Sequence, residues 1–392
     1  MSGRTTTVPV GRTDWLVLGA VAATASAMAW RELLGPGPVP APPGRLVQVG
    51  GRAQHVMDRP GDRGPTVVFE NGLGNPATMW HWLREQLPPD SHLVAYDRPG
   101  VGWSRPVRGR LDAARYTDHL LALLREAGAQ PPYLLVGHSL GGLLIRLFAE
   151  RFPELAAGLV FVDSAHPDEH RGSAALAGFN PVLIRLDRWI ARACLGMRPD
   201  NWLTADLAPL PPEEFVRTAR VREGVGSLRA ARRELGLSAQ WAEACGMTGA
   251  GAYSSLPVAV VHATSSAYRL PNFDQYQEDL AGLSAVSRSW SVAGATHNSL
   301  LTRREHAAEV ADAITWALDR ASRATGHGEP SIGAKAAGDE SPNGTSVTAG
   351  GRHGSTGTAG VDGPVVTGVT KGGRPGGTGA AARGRRGGGE PS

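Results

Sequence analysis

Ser139 lies in the stretch "PPYLLVGHSLGGLLIRLFAERFP", Pro131 to Pro153, between Gly137 and Gly141. In a chain with 52 glycines in 392 residues, the pattern Gly-x-Ser-x-Gly has meaning only through its surroundings. Tyr133 to Val136 predicts a buried strand. From Leu140 to Phe152, Leu143, Leu144, Leu147 and Phe148 recur at helical spacing. The serine therefore falls on a sharp strand-to-helix turn, where its backbone is strained and its neighbours must be small. Such a turn exposes the hydroxyl near a helix N-terminus, whose unpaired N–H groups can hold developing negative charge. The pattern predicts a nucleophile elbow.

A serine hydroxyl is a weak nucleophile at neutral pH and needs a base to take its proton. Histidine suits, because it can accept that proton and later return it. The chain has 12 histidines, so position must choose among them. The two cysteines, Cys194 and Cys245, form no CxxC pair, and no His/Cys metal spacing, HExxH, phosphate loop or dinucleotide fingerprint occurs. No metal or cofactor is expected. The net charge of +4 comes in part from the C-terminal arginines and is poor support for a nucleic-acid partner.

The elements that must position the serine follow in a regular rhythm. "RLVQVGGRAQHVM" predicts a β-hairpin around Gly50-Gly51. "PTVVFENG" is a strand, "ATMWHWLREQL" a helix, "HLVAYDRPGVGWS" a strand entering a Gly-rich turn, and "RYTDHLLALLREAGA" an amphipathic helix. The elbow strand and helix come next, then "GLVFVDS". After helical text from Ala165 to about Ser255, the rhythm resumes with "LPVAVVHA", "SRSWSVAGA" and the helix "EHAAEVADAITWALDRA". Apolar strands alternating with amphipathic helices imply an α/β fold with a mostly parallel sheet covered on both faces. In such sheets, sites lie beyond the carboxyl ends of the strands.

Both ends of the chain read differently. The run from Trp15 to Trp30 would span about 24 Å as a helix, short of the roughly 30 Å hydrocarbon core. With Arg4 and Arg12 before it and Ala25-Ser26-Ala27 within it, it predicts a signal peptide or an uncleaved membrane anchor, with a cytoplasmic chain as the alternative. A Pro-rich linker, "LLGPGPVPAPPGR", completes residues 1–44. From Arg323 the composition is Gly, Thr, Ser, Ala and Pro without aromatics, which predicts a disordered tail over 323–392. The predicted folded domain is 45–322.

Taken in order, "ENGLGNPATMW", "YDRPGVGWS", "LVGHSLGG", "VDSAHPDE" and "AGATHNSL" resemble the α/β-hydrolase superfamily from about Arg45 to Arg320, and within it the lidded serine esterase, lipase and haloperoxidase-like group. The resemblance implies a helical lid at about 165–255 and an acyl-enzyme on Ser139. His297, after the last strand, is the implied base, with His166 as competitor and His138 pointing away from the serine. It implies oxyanion donors at the backbone N–H groups of Leu140 and Leu73, although Asn71-Gly72-Leu73-Gly74 departs from the commoner His-Gly-x pattern. Asp97 and Arg98 are read as architectural. The expected substrate is a small apolar ester. Cofactor-free perhydrolysis, C–C hydrolysis, acyl transfer and non-catalytic binding remain open on the same fold.

The acid that orients His297 has two candidate positions. The commoner superfamily slot follows "LPVAVVHA", where no carboxylate appears before Asp274. The alternative slot ends the preceding strand, where "GLVFVDS" places Asp163. A carboxylate closing an apolar strand needs a polar partner, and Asp163 is the preferred reading.

Overall fold

The computed structural model describes residues 39–170, 172–197, 203–246, 251–253, 255–265 and 272–324, together with 17, 19–22 and 26. The predicted tail lies outside the described residues, except for its first two positions. Most of the predicted signal or anchor segment also lies outside them. Among the described residues no helix is long and apolar enough to cross a membrane.

Strands β1 (Arg45–Val49) and β2 (Arg52–Arg59) form the expected hairpin. Its two turn residues, Gly50 and Gly51, have φ of 56° and 71°, the left-handed pair that a two-residue hairpin turn requires. Then follow β3 (Arg63–Glu70), α1 (His81–Gln86), β4 (Ser91–Tyr96), α2 (Ala113–Glu126), β5 (Tyr133–His138), α3 (Gly141–Arg151) and β6 (Ala156–Val162). Among the described residues, four α-helices intervene: α4 (Pro167–His170), α5 (Gly172–Cys194), α6 (Pro212–Arg222) and α7 (Val225–Ala244). The chain re-enters the sheet as β7 (Val258–Ala263), crosses through α8 (Phe273–Ala281) to β8 (Ser287–Val292), and closes with α9 (Ser299–Thr302) and α10 (Arg304–Ala324). The helix expected across "ATMWHWLREQL" is split: Ala77–Trp80 is a tight 3-10 turn before α1. Asp97 Oδ1 accepts from the Ala77 N–H at 2.7 Å and pins that turn to the end of β4.

The eight strands run in the order β1-β2-β4-β3-β5-β6-β7-β8. β1–β2 and β2–β4 are antiparallel, and every later pair is parallel. Because side chains alternate across a strand, Leu135 and Phe161 pack with Leu120, Leu144 and Phe148 on one face. Leu134, Val136 and Val160 pack with Leu83, Ile314 and Leu318 on the other. Both faces are therefore dry, which is why the central strands read as unbroken apolar runs. A third, smaller core joins α5 to α7 through Leu186, Trp189, Leu228 and Leu235. The two cysteines are free thiols, Cys194 exposed and Cys245 buried.

Candidate active site

Ser139 follows the last residue of β5 and has φ of 54°. Its backbone is held from both sides: its N–H donates to Val162 O at 3.1 Å, and its carbonyl accepts from Gly142 and Ala165, each at 2.9 Å. The flanking glycines answer to close backbone approach. A Cβ at Gly137 would lie 2.7 Å from Gly141 O, and one at Gly141 would lie 2.4 Å from Glu70 O. On the side-chain side, a Cβ at Gly72 would stand 3.2 Å from the Ser139 Cβ. The loop after β3 thus faces the serine.

Asp163 follows the last residue of β6 and has φ of 42°, and it and Ser139 are the two non-glycine residues with positive φ among the described residues. Strain of this kind persists only where the surroundings over-determine it, and it gathers at functional positions. Asp163 is 3% exposed. Its Oδ1 accepts from the Ala263 N–H of β7 at 2.9 Å, and its Oδ2 accepts from His297 Nδ1 at 2.6 Å. Burial pushes the carboxyl up, but the hydrogen bond and charge of His297, helped by the Ala263 amide, hold it below the usual aspartate value. His297 stands on the loop between β8 and α9. A donating Nδ1 leaves the lone pair of a neutral imidazole on Nε2, the atom that can accept a proton.

His138 is not directed idly away. Its Nε2 donates to the His297 carbonyl at 3.1 Å, and the two rings lie 4.5 Å apart. Burial, reinforced by the neighbouring His297, holds its pKa at about 3, so the ring is a neutral shelf beneath His297. Asp274 is exposed in the first turn of α8, and the His297 Nδ1 is turned to Asp163 instead. His166 stacks on Tyr276 with ring centroids 4.8 Å apart, and its Nδ1 accepts from the Asp168 N–H.

The family model described as the alpha/beta hydrolase family matches residues 67–313. The chain belongs to the alpha/beta hydrolase family. Among curated proteins it is similar to the uncharacterized protein YqjL of Bacillus subtilis, 34% identical over 120 residues that make up 31% of this chain and 47% of that protein. It is also similar to rice "Probable esterase PIR7A", 31% identical over 165 residues, 40% of this chain and 56% of that protein. The chain thus spans about half the length of these curated relatives. Among solved structures, a thermophilic esterase from Thermogutta terrifontis superposes with a TM-score of 0.53 at 19% identity, covering 70% of this chain and 98% of that one. That likeness concerns the fold.

In this α/β hydrolase the loop from Asn71 to Asn75 is built around Arg98, which is buried with 1% exposure. The guanidinium donates to the Asn71 and Gly72 carbonyls and, at 2.7 Å, to Glu70 Oε1. Neither the Leu73 nor the Leu140 amide has a hydrogen-bond acceptor among the described residues. Asp97 accepts from Ala77, Trp103 and His55, an architectural role as expected. Arg98 does more than the reading of the sequence assigned. One signal pointed to it: Glu70 closes an apolar strand, and a buried carboxyl demands a partner. Glu169 belongs to α4. Its Oε1 accepts from the His166 N–H at 3.2 Å, and burial raises its pKa to about 7 against the pull of that amide and of His297.

Proposed function

We propose that this α/β hydrolase is a serine hydrolase, opening a carboxylic ester or related acyl bond through an acyl-enzyme on Ser139. The observation that carries the reading is the coincidence of strain and pairing. Among the described residues, the two non-glycine left-handed positions are the elbow serine and the aspartate that holds His297. In this reading His297 Nε2 takes the Ser139 proton as Oγ attacks the carbonyl carbon. The Leu73 and Leu140 amides, both without an acceptor among the described residues, receive the developing oxyanion. The intermediate collapses, the ester C–O bond breaks, and the leaving alkoxide takes its proton from His297. Water then repeats the sequence on the acyl-enzyme, releasing the acid and restoring Ser139.

Asp163 keeps His297 in the tautomer this exchange needs and stabilises the imidazolium. The helices α4 to α7, within 165–255, act as a lid, and their Leu-rich core favours a small apolar ester. The esterase name of the rice relative supports the same class. The segment before the linker anchors or exports the protein in this reading. Labelling with a fluorophosphonate probe, followed by peptide mapping, tests the nucleophile: modification at Ser139 is expected, and an unlabelled serine overturns the reading. A series of p-nitrophenyl esters of graded chain length then sets the acyl preference.

A further inference from the structure

The loop that carries the Leu73 amide is not held by the sheet alone. Arg98 presents five N–H donors in a planar fork, and all five are engaged. Its Nε and Nη2 form a two-point pair with Glu234, at 2.8 Å to Oε1 and 2.7 Å to Oε2. Its Nη1 reaches Glu70 Oε1 and Asn71 O, and Nη2 also reaches Gly72 O at 2.6 Å. Glu234 belongs to α7, within the segment inserted between β6 and β7. Its Oε2 also accepts from the Gly74 N–H at 2.9 Å. One carboxylate from an inserted helix therefore touches the loop twice, directly at Gly74 and through Arg98 at Asn71 and Gly72.

The consequence for Leu73 follows from peptide geometry. In a trans peptide the C=O and N–H of one unit point in opposite directions. With the Gly72 carbonyl turned to Arg98, the Leu73 N–H of the same unit points away from the guanidinium. The Asn71 carbonyl likewise directs the Gly72 N–H. Packing couples the same parts. A Cβ at Gly74 would lie 2.6 Å from the Ala231 Cβ of α7, so helix and loop are in close contact. The Leu73 side chain packs against the small core of Leu186, Trp189, Leu228 and Leu235. Burial disfavours the charge on Arg98, and the charge and hydrogen bonds of Glu234 together with the charge of Glu70 outweigh it.

We propose that Glu234 is a positioning residue for the oxyanion loop: it makes the direction of the Leu73 amide depend on the seating of helix α7, so that the inserted helices and the oxyanion site are set together. This rests on the acyl-enzyme reading above, since Leu73 matters only if an oxyanion forms beside Ser139. Displacement of α7 would release Gly74 and one side of Arg98 at once, leaving the serine in place but the donor misdirected.

The test is Glu234→Gln with p-nitrophenyl butyrate, in the full-length protein. The amide group replaces one acceptor by a donor that faces the Gly74 N–H and the guanidinium. The expected result is a kcat lower by about 10–100-fold, in the range of a weakened oxyanion donor, with KM within about threefold. Affinity for a trifluoromethyl ketone, which loads the oxyanion site, should fall by the same factor, while affinity for the product carboxylate holds. Glu234→Asp keeps the charge that Arg98 needs but is one methylene too short to serve both contacts. It should give the same split if Glu234→Gln fails to fold. A folded Glu234→Asp with parental kcat and ketone affinity overturns the assignment, as does a loss confined to KM. A parent protein that labels and turns over while its variants match it sinks this proposal alone. A parent unlabelled at Ser139 removes the acyl-enzyme reading, and the role of Leu73 with it.

Discussion

Ser139 and Asp163 sit one residue beyond a facing pair of the sheet, His138 of β5 opposite Val162 of β6, and both carry left-handed backbone, with φ of 54° and 42°. The two turns are stitched together, since Ser139 N–H donates to Val162 O and Ala165 N–H donates to Ser139 O. Two neighbouring parallel strands thus end in two strained turns at the same level of the sheet. Each turn lifts one polar side chain off the strand end.

Replacing Ser139 by alanine removes the hydroxyl without altering the turn's steric demand, because alanine and serine share the same Cβ. Esterase turnover should fall by at least three orders of magnitude, with the melting temperature within a few degrees of the parent. His297→Ala should cost a similar factor, and the double variant should be hardly worse than either, since groups acting as one unit are non-additive. Additive losses in the steady-state rates would show that the two residues do not share a step.

Asp163→Asn keeps the shape of the side chain but lets an amide face His297 Nδ1. The expected loss in kcat is several orders of magnitude, through the wrong tautomer. Asp274→Asn should leave kcat within about twofold, since that residue is exposed on α8. Rates measured for the pair under saturating ester decide between them, and the reverse pattern would move the acid to the later segment.

Gly141→Ala tests the close approach beneath the elbow. Its Cβ would come within 2.4 Å of Glu70 O and 2.8 Å of Asn71 O. Backbone must move to admit it, at a cost of about 1–3 kcal/mol as for other overpacked sites. Urea unfolding should report that loss. Activity should fall further than stability, because the displaced atoms begin the loop that faces Ser139.

Stability should decline in mild acid, and the sign follows from the buried imidazoles. His138, His170 and His119 are held at about 3, 4 and 4, chiefly by burial, against about 6.5 in an unfolded chain. As pH falls below about 6.5 the unfolded chain takes up protons that the folded one refuses. The contribution of these rings is therefore lost between that pH and about 3 to 4. Glu169, at about 7 in the fold, works the other way: it adds stability below about 4.3 that fades as pH rises through 7. Glu70, raised by burial, acts in the same direction as Glu169. His81, His92 and His306, also lowered by burial, act with these three rings. His55, raised through Asp97 against the opposing pull of burial, acts with the two carboxyls. The lowered rings outnumber the raised groups, so the urea midpoint should be lower at pH 4.5 than at pH 7. An equal or higher midpoint at pH 4.5 would contradict the neutral burial of these rings.

Much of this protein was determined by short stretches of its sequence. The hairpin at Gly50-Gly51, the buried strands and the strand–serine–helix turn each depend on residues within a few positions of one another, so periodicity and turn chemistry disclose them. Ser139 is legible for that reason: Gly137 and Gly141 are the local mark of a turn with no room for a Cβ. The carboxylate that pairs with His297 was not legible in the same way. Asp163 and His297 are 134 residues apart, and Asp274, well past the end of the next strand, was the competing position. What separates them is the sheet order, which sets β6 beside β7, and the loop after β8, which turns the His297 Nδ1 to Asp163. Glu234 was further out of reach, 160 residues from Gly74 on a helix whose pattern shows only an amphipathic face. A helical carboxylate reads as solvated until tertiary packing removes the water around it. Only then must it find Arg98 and the Gly74 amide, because a charge buried without partners is too costly to keep.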